Sequence, residues 1–298
     1  MLLLGAFTRT RVSMDANSFW YIYTTDGAKG FLLDLIRRPD AAVARLVVYS
    51  AGAAPIVTRE FRRPSALAED GSHTVQLDSL SLSPEGCHGK VGPIDIDIDF
   101  TLSPREISFV PNWLHTIIPY IPSFSSRYGK LESGACQTVR YENTPLVYST
   151  YGVGRIERSK WYLISAPRFD GSDLSFEISA ARVFGLWGPS AYVFFRGVEY
   201  KLNNALLSLF QFTTRRAGEL SGGERVFEVS IRTRDLSLSI RAWAPAGDFA
   251  MLEQEGQTQI HTTLFGNCDA RLTLRGSNEE HSFSARRTCL LEVKNKPQ

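Results

Sequence analysis

The centre of the chain concentrates residues that could do acid–base chemistry. The stretch Tyr151–Phe169 reads YGVGRIERSKWYLISAPRF, and it surrounds Glu157 with basic and aromatic neighbours: Arg155, Arg158, Lys160 and Trp161. A carboxyl group buried beside aromatic rings can keep its proton near neutral pH, which suits a general acid. We therefore predict that Glu157 protonates an alkene or a carbonyl. The alternative is that Glu157 pairs with Arg155 or Arg158 and has only a structural role.

Three further residues could act on a substrate directly. His115 is the only histidine in an apolar setting, so it is a candidate catalytic residue, although a hydrogen-bonded structural histidine is the alternative. The hydroxyl groups of Tyr151 and Tyr120 could donate to a substrate carbonyl, which would promote a cycloaddition without proton transfer. We assign Tyr151 and His115, with Glu157, to the catalytic set.

Large side chains near these residues could form the wall of an apolar cavity. The predicted substrate-binding set is Trp161, Arg158, Tyr120, Trp187, Tyr192 and Trp243. Aromatic faces would stabilise positive charge that develops on a substrate. Each aromatic residue has an alternative role in an ordinary β core, where such side chains are common.

Composition narrows the class of protein. The 298 residues are 43% hydrophobic and carry a net charge of +2, which gives no electrostatic reason to expect nucleic acid as a partner. We find no phosphate-binding, dinucleotide-binding or zinc-protease motif, so we expect no cofactor and no metal. No apolar run is long enough to span a membrane, and the N-terminus lacks a signal-peptide pattern, so we expect a cytoplasmic protein without stable membrane insertion.

The cysteines follow no metal-binding or redox spacing. They are Cys87, Cys136, Cys268 and Cys289. The simplest interpretation is that all four are thiols that pack in the core of a protein from a reducing compartment. The alternative is that they form one or two disulfides.

Alternating patterns in the first half predict β-strands. FWYIYTTDGAKGFLLDLI predicts a hairpin that turns at its Asp-Gly pair, and GPIDIDIDFTL predicts a strand with alternating isoleucine and aspartate faces. Three aspartates at this spacing lie too far apart for one ion, so we interpret them as a solvated face. Residues 112–129 contain two prolines and predict an irregular apolar connection, while residues 130–159 predict a hairpin that turns at Glu142–Pro145.

The second half predicts nine short strands separated by turn signals, among them TQIHTTLFG and ARLTLRG as two separate strands. No long helix is predicted. The fold class is therefore all-β, with two antiparallel barrels side by side. We place the N-terminal barrel at residues 1–150 and the C-terminal barrel at residues 151–298.

Two stretches resemble a known superfamily. YGVGRIERS followed by KWYLISAPRF resembles the central motif of the tocopherol cyclase family, without its Asn-Trp-Gly and Phe-Pro. RVFEVSIRTRDLSLSIRAWAP and HTTLFGNCDARLTL resemble that family's closing strands. Carotenoid 1,2-hydratases and fungal Diels–Alderases have similar patterning, and the resemblance implies two consecutive lipocalin-like barrels.

The resemblance implies a cofactor-independent cyclase, hydratase or cycloaddition catalyst. Its substrate would be a hydrophobic isoprenoid or polyketide-like molecule of natural-product biosynthesis, bound in a pocket near Glu157. Two alternatives remain open: a carrier that binds a hydrophobic small molecule without turnover, and a scaffold whose cavity is filled by its own side chains.

Overall fold

The computed structural model of the protein describes residues 17–69, 74–103, 107–108, 123–153, 160–167, 169, 172–183, 186–202, 211–255 and 258–295. These residues form two antiparallel sheets.

The first sheet has twelve strands and occupies the first half of the chain. Its strands are β1 (Asn17–Thr25), β2 (Lys29–Arg37), β3 (Ala42–Ser50), β4 (Ile56–Arg62), β5 (Leu67–Glu69), β6 (Val75–Leu77), β7 (Leu80–Leu82), β8 (Gly86–Val91), β9 (Ile94–Leu102), β10 (Ile107–Ser108), β11 (Ser123–Cys136) and β12 (Val139–Val153). A short 3-10 helix, Pro64–Ala66, precedes β5. The order across the sheet is β4-β3-β2-β1-β12-β11-β9-β8-β7-β6-β5, and β10 pairs with β11.

The second sheet has ten strands and occupies the second half. Its strands are β13 (Trp161–Ala166), β14 (Ser175–Val183), β15 (Leu186–Phe195), β16 (Val198–Leu202), β17 (Phe212–Ser221), β18 (Glu224–Arg232), β19 (Leu236–Pro245), β20 (Ala250–Glu255), β21 (Thr258–Leu274) and β22 (Glu279–Asn295). A 3-10 helix, Ala246–Asp248, links β19 to β20. The order is β16-β15-β14-β13-β22-β21-β19-β18-β17, and β20 pairs with β21.

Each sheet curls around an apolar core of its own. The first core includes Leu33, Leu46 and Ile98, and the second includes Ile164 and Phe176, all fully or almost fully buried. The predicted all-β fold of two antiparallel barrels is therefore confirmed. The boundary that we place between residues 150 and 151 stays a prediction.

The predicted N-terminal hairpin is present as β1 and β2. Its turn contains Gly27 at a φ of +86°, a left-handed conformation that glycine adopts without steric cost. Asp26 Oδ1 accepts hydrogen bonds from the backbone N–H groups of Ala28 at 2.9 Å and Lys29 at 2.8 Å. Local turn chemistry therefore explains why this hairpin could be predicted from the sequence.

The predicted alternating strand is also present, as β9. Its isoleucines are buried in the first core while Asp95, Asp97 and Asp99 are exposed. Lys90 pairs with Asp95 at 3.0 Å, and His88 Nδ1 lies 2.8 Å from Asp97 Oδ1. The aspartate row is a solvated face with partners on β8, as interpreted.

The turn predicted at Glu142–Pro145 is wrong. β11 and β12 join at Gln137 and Thr138, and Gln137 has a φ of +57°. Residues 142–145 lie inside β12, where Thr24 Oγ1 donates to the carbonyl of Pro145 at 2.7 Å. Pro145 is tolerated there because the pairing of β12 with β1 ends at the neighbouring residue, Leu146.

Two other strand boundaries differ from the prediction. β11 already begins at Ser123, inside the stretch predicted to be irregular, and the rest of that stretch lies outside the described residues. TQIHTTLFG and ARLTLRG form one strand, β21, because the pairing shifts around Gly266 instead of ending there. A Cβ atom on Gly266 would lie 2.6 Å from the Leu291 side chain, so this close approach of β21 and β22 requires glycine.

Candidate functional site

The two barrels meet along a buried layer, which we call the interbarrel layer. The first sheet contributes Tyr21, Tyr23, Leu32, Val47, Tyr49 and Val147. The second sheet contributes Leu163, Ala250, Leu252, Leu264, Phe265 and Leu290. Because β1, β2 and β3 have a barrel core on one face and this layer on the other, their sequences are apolar almost throughout.

A fully buried carboxyl group lies in this layer among hydroxyl groups. Glu177 on β14 and Ser165 on β13 are both 0% exposed. Tyr21 donates to Glu177 Oε1 at 3.5 Å, and Ser165 Oγ donates to Glu177 Oε2 at 3.3 Å. The hydroxyl of Tyr23 donates to Ser165 Oγ at 2.6 Å. Two sheets that are far apart in the sequence are thus joined through one glutamate.

Strand register brings these groups together. Ser165, Glu177 and Tyr192 lie directly opposite one another across β13, β14 and β15, so their side chains share one face. In the first sheet, Tyr23 and Tyr128 both pair with Val147 of β12 and also share a face. The rings of Tyr128 and Tyr192 face each other across the layer, with centroids 6.3 Å apart. We call Tyr21, Tyr23, Tyr128, Ser165, Glu177 and Tyr192 the Glu177 cluster.

The hydroxyl groups of Tyr23 and Tyr128 are held in their protonated form. Burial raises the pKa of Tyr23 and of Tyr128 well above the usual value, and the Glu177 carboxyl group raises both further when it is ionised. The buried Tyr128 hydroxyl finds no hydrogen-bond partner among the described residues. A buried donor without an acceptor is unfavourable, so this hydroxyl is suited to bind an oxygen atom of a ligand.

A second polar group spans the same layer. Asp34 on β2 accepts a hydrogen bond from Arg45 Nε at 2.7 Å, and both side chains are buried. Arg45 Nη1 lies 3.5 Å from Glu253 Oε2 on β20, and Arg38 contacts the same carboxylate. Glu292 on β22 lies close enough to interact with Asp34 and Arg45. Charged side chains therefore form a second link between the two sheets.

The buried Glu292 side chain should make the stability of the folded protein depend on pH. Its pKa is raised from 4.5 to about 8, first by burial and then by the charge of Asp34. The folded protein thus holds this proton more tightly than the unfolded chain. The resulting stabilisation is complete below the unfolded pKa of 4.5 and is lost as the pH rises through about 8. In urea titrations, we expect the free energy of unfolding to fall with pH across this window more steeply in the native protein than in Glu292→Gln. Equal slopes would contradict this assignment.

Four of the predicted site residues lie outside the described residues: Glu157, Arg158, His115 and Tyr120. Two others are described only in their backbone. Tyr151 pairs with Phe19 and Phe124 within the first sheet, and Trp187 pairs with Arg182 in the second. The roles of these six residues stay predictions.

The other three have described side chains in different places. Tyr192 is buried in the Glu177 cluster, and Trp161 packs against the interbarrel layer. Trp243 alternates with the core residues on β19, and its ring lies 4.9 Å from the guanidinium of Arg241 and 5.3 Å from that of Arg286. Since its ring contacts these two cations, we do not carry Trp243 into the proposed site.

Most of the Glu177 cluster was missed in the sequence. In SFEISA, the polar positions alternate with apolar ones, which indicates a solvated face for Glu177. In the folded protein, the N-terminal barrel covers that face of the second sheet instead. Asp34 gave a stronger signal, because a single charge inside the apolar run FLLDLI requires a buried partner.

The fold and the interbarrel layer define the class. This is an all-β protein of two consecutive lipocalin-like barrels, with buried acidic and phenolic groups between them. None of the helical segments in the described part of the chain has the length and apolar character of a transmembrane helix.

Two solved structures share this fold over almost their whole lengths. One is a Nitrosomonas europaea protein with the provisional name AttH, which has 13% sequence identity, a TM-score of 0.54 and 100% coverage of both chains. The other is kievitone hydratase from Nectria haematococca, at 8% identity and a TM-score of 0.54, with 98% of this chain and 94% of that chain covered. The fold implied by the resemblance to the tocopherol cyclase superfamily is thereby confirmed. No protein-family model and no curated protein matches the sequence.

Proposed function

We propose that the protein is a cofactor-independent enzyme that hydrates or cyclises a hydrophobic, unsaturated small molecule in the interbarrel layer. The observation that carries this proposal is the position of Glu177, which is 0% exposed and accepts from hydroxyl groups of both sheets. An acid in a site that excludes bulk water can protonate a carbon–carbon double bond because bulk solvent does not compete for the proton.

The two reactions differ only in the attacking oxygen. Glu177 transfers a proton to one alkene carbon, and an oxygen atom attacks the other carbon. In a hydration this oxygen belongs to water, and in a cyclisation it belongs to a hydroxyl group of the substrate. The attacking group then returns its proton to the carboxylate. The rings of Tyr21 and Tyr192 would stabilise the intermediate cation, and the Tyr128 hydroxyl would hold a substrate oxygen.

The fold likeness supports this choice of chemistry. Kievitone hydratase, by its name, adds water to its substrate on the same double-barrel fold. For this chain we propose a hydrophobic isoprenoid or polyketide-like substrate, which matches the aromatic lining of the layer. We also propose a cytoplasmic location, since all four cysteines are free, buried thiols.

Glu157 remains a second candidate for the acid. It keeps the role predicted from the central stretch, with Tyr151 and His115 as the other candidate catalytic residues and Arg158, Trp161, Tyr120 and Trp187 as candidate substrate-binding residues. A cycloaddition promoted by the tyrosine hydroxyls would need neither carboxyl group. The Glu157→Gln and Glu177→Gln variants separate these mechanisms.

Labelled water provides the direct test. We expect the purified protein, incubated with a panel of isoprenoid and polyketide-like alkenes in ¹⁸O-water, to yield a product heavier than its substrate by one labelled water molecule. Cyclisation would instead yield a product of unchanged mass and different retention time. If no member of the panel is converted while several of them bind, the enzymatic proposal is wrong and the carrier is favoured.

The carrier is the second candidate, because one observation favours a structural role for Glu177. The polar groups of the Glu177 cluster also hydrogen-bond one another, from Tyr23 through Ser165 to Glu177, as a structural network would. A carrier would bind a hydrophobic ligand in the layer without a chemical step. Native mass spectrometry of the protein as purified would detect such a ligand directly.

A further inference from the structure

A groove of about 400 Å³ opens at the edge of the interbarrel layer. Three arginines line it: Arg38, Arg45 and Arg59. None of the groove's residues belongs to the Glu177 cluster. The volume lies within the range of small-molecule sites.

The register of the first sheet builds one wall of this groove. On β3 and β4, Val43 lies opposite Phe61, and Arg45 lies opposite Arg59, so all four side chains share one face. The other wall is β20 of the second sheet, where a β-bulge falls between Met251 and Glu253. Bulges re-aim side chains and are common beside binding sites.

Positive charge exceeds negative charge along the groove. Glu253 contacts Arg38 and Arg45, and Asp34 binds Arg45 from inside the layer. Arg59 has no carboxylate partner among the described residues, and its Nη2 donates to the carbonyl of Met251 at 3.0 Å. Three guanidinium groups face the carboxylates of Glu253 and Asp34. Glu292 also lies near Arg45, but burial and then the charge of Asp34 raise its pKa to about 8, so it is mostly protonated at neutral pH and a surplus of one positive charge remains.

One of these guanidinium groups has unused hydrogen-bonding capacity. Arg45 is 7% exposed, and its buried Nη1 makes no hydrogen bond with the described residues. Nη1 lies 3.5 Å from Glu253 Oε2, but this ion pair does not have the geometry of a hydrogen bond. A buried cation in this state is stabilised by an anion that enters the groove.

The rim of the groove is apolar and open to solvent. Phe61 is 61% exposed and Met251 is 44% exposed. They belong to the few large hydrophobic side chains that the described part of the chain exposes, and they lie on opposite walls of one groove. An apolar chain placed between them would remove this surface from water.

We propose that the groove binds a small carboxylic acid with an apolar chain. Arg59 and Nη1 of Arg45, which makes no hydrogen bond with the described residues, hold its carboxylate, and Phe61 and Met251 cover its chain. A carboxylate carries a single negative charge, which matches the surplus of one positive charge. A phosphate monoester carries about −1.5 to −2 at neutral pH and would overcompensate it. The site is independent of the chemistry proposed at Glu177.

Isothermal titration calorimetry with four probes tests the ligand class: decanoate, decanol, decyl phosphate and acetate. We expect decanoate to bind more tightly than each of the other three, because only decanoate combines one negative charge with an apolar chain. If decanol binds as tightly, the arginines do not recognise the ligand. Tighter binding of decyl phosphate would overturn the assignment to a carboxylate.

Two variants locate the site, with a matched control. Arg59→Gln should weaken decanoate binding about tenfold, the value of one hydrogen bond to a charged group. Arg62→Gln on the same strand should leave it unchanged, because Arg62 lies outside the groove and pairs with Asp78. Glu253→Gln should tighten decanoate binding several-fold, since it frees Arg38 and Arg45. Equal affinities in Arg59→Gln and Arg62→Gln, with native circular dichroism spectra, would refute the site.

Discussion

Replacing Glu177 with glutamine is expected to lower turnover by about a hundredfold to ten-thousandfold, the usual contribution of a general acid. Glutamine has almost the same shape, and its Oε1 can still accept a hydrogen bond from Tyr21 or from Ser165 while its amide nitrogen donates to the other hydroxyl oxygen, but it has no acidic proton to transfer. Affinity for the substrate should change little, so the loss should be seen in kcat and not in KM. The measurement is steady-state kinetics with whichever alkene of the labelled-water panel is converted, together with a binding titration.

The control is Glu228→Gln on β18, which removes a half-exposed carboxylate that pairs with Arg216. Its turnover should match that of the native protein. If Glu177→Gln keeps native turnover while Glu157→Gln loses it, the acid is Glu157 and the Glu177 cluster is structural. If both variants keep native turnover, proton transfer from either carboxyl group is excluded.

Arg45→Met is expected to destabilise the protein by about 3–5 kcal/mol. The substitution leaves the Asp34 carboxylate buried in the layer without its cation, and a buried, uncompensated charge is costly. Methionine fills much of the same space, so packing contributes little to the loss. Urea denaturation followed by circular dichroism measures the free energy of unfolding directly.

A double variant separates the charge effect from other causes. Asp34→Leu combined with Arg45→Met should recover most of the lost stability, because the buried Asp34 carboxylate is removed together with its cation and Glu253 keeps its ion pair with Arg38. Arg62→Gln, which breaks an exposed ion pair with Asp78, should cost far less than Arg45→Met. If Arg45→Met costs no more than Arg62→Gln, the Asp34–Arg45 pair does not stabilise the layer.

The elements that could be predicted are those with a local physical cause. β9 follows from strict alternation of isoleucine and aspartate, and the β1–β2 hairpin follows from an Asp-Gly turn. The turn at Gln137 could not be predicted in the same way, because neither Gln137 nor Thr138 is a typical turn residue. Pro145 pointed to the wrong place, since its missing N–H falls where the pairing with β1 ends.

The candidate site was only partly accessible from the sequence. Tyr192 and Trp161 were found because aromatic side chains favour β layers, and both contact the interbarrel layer or its cluster. Glu177 was missed because alternation places its face toward solvent in an isolated sheet. That face becomes buried only when a second sheet covers it.

By itself, the sequence determined the all-β class and the two barrels, because strand periodicity and turn chemistry act over a few neighbouring residues. Only the tertiary structure decided which polar faces are buried and which groups meet. Tyr23 and Ser165 hydrogen-bond across 142 positions of the chain, and no local pattern specifies that contact. The physical reason is that burial of a polar face depends on what packs against it, and here that partner is the other barrel.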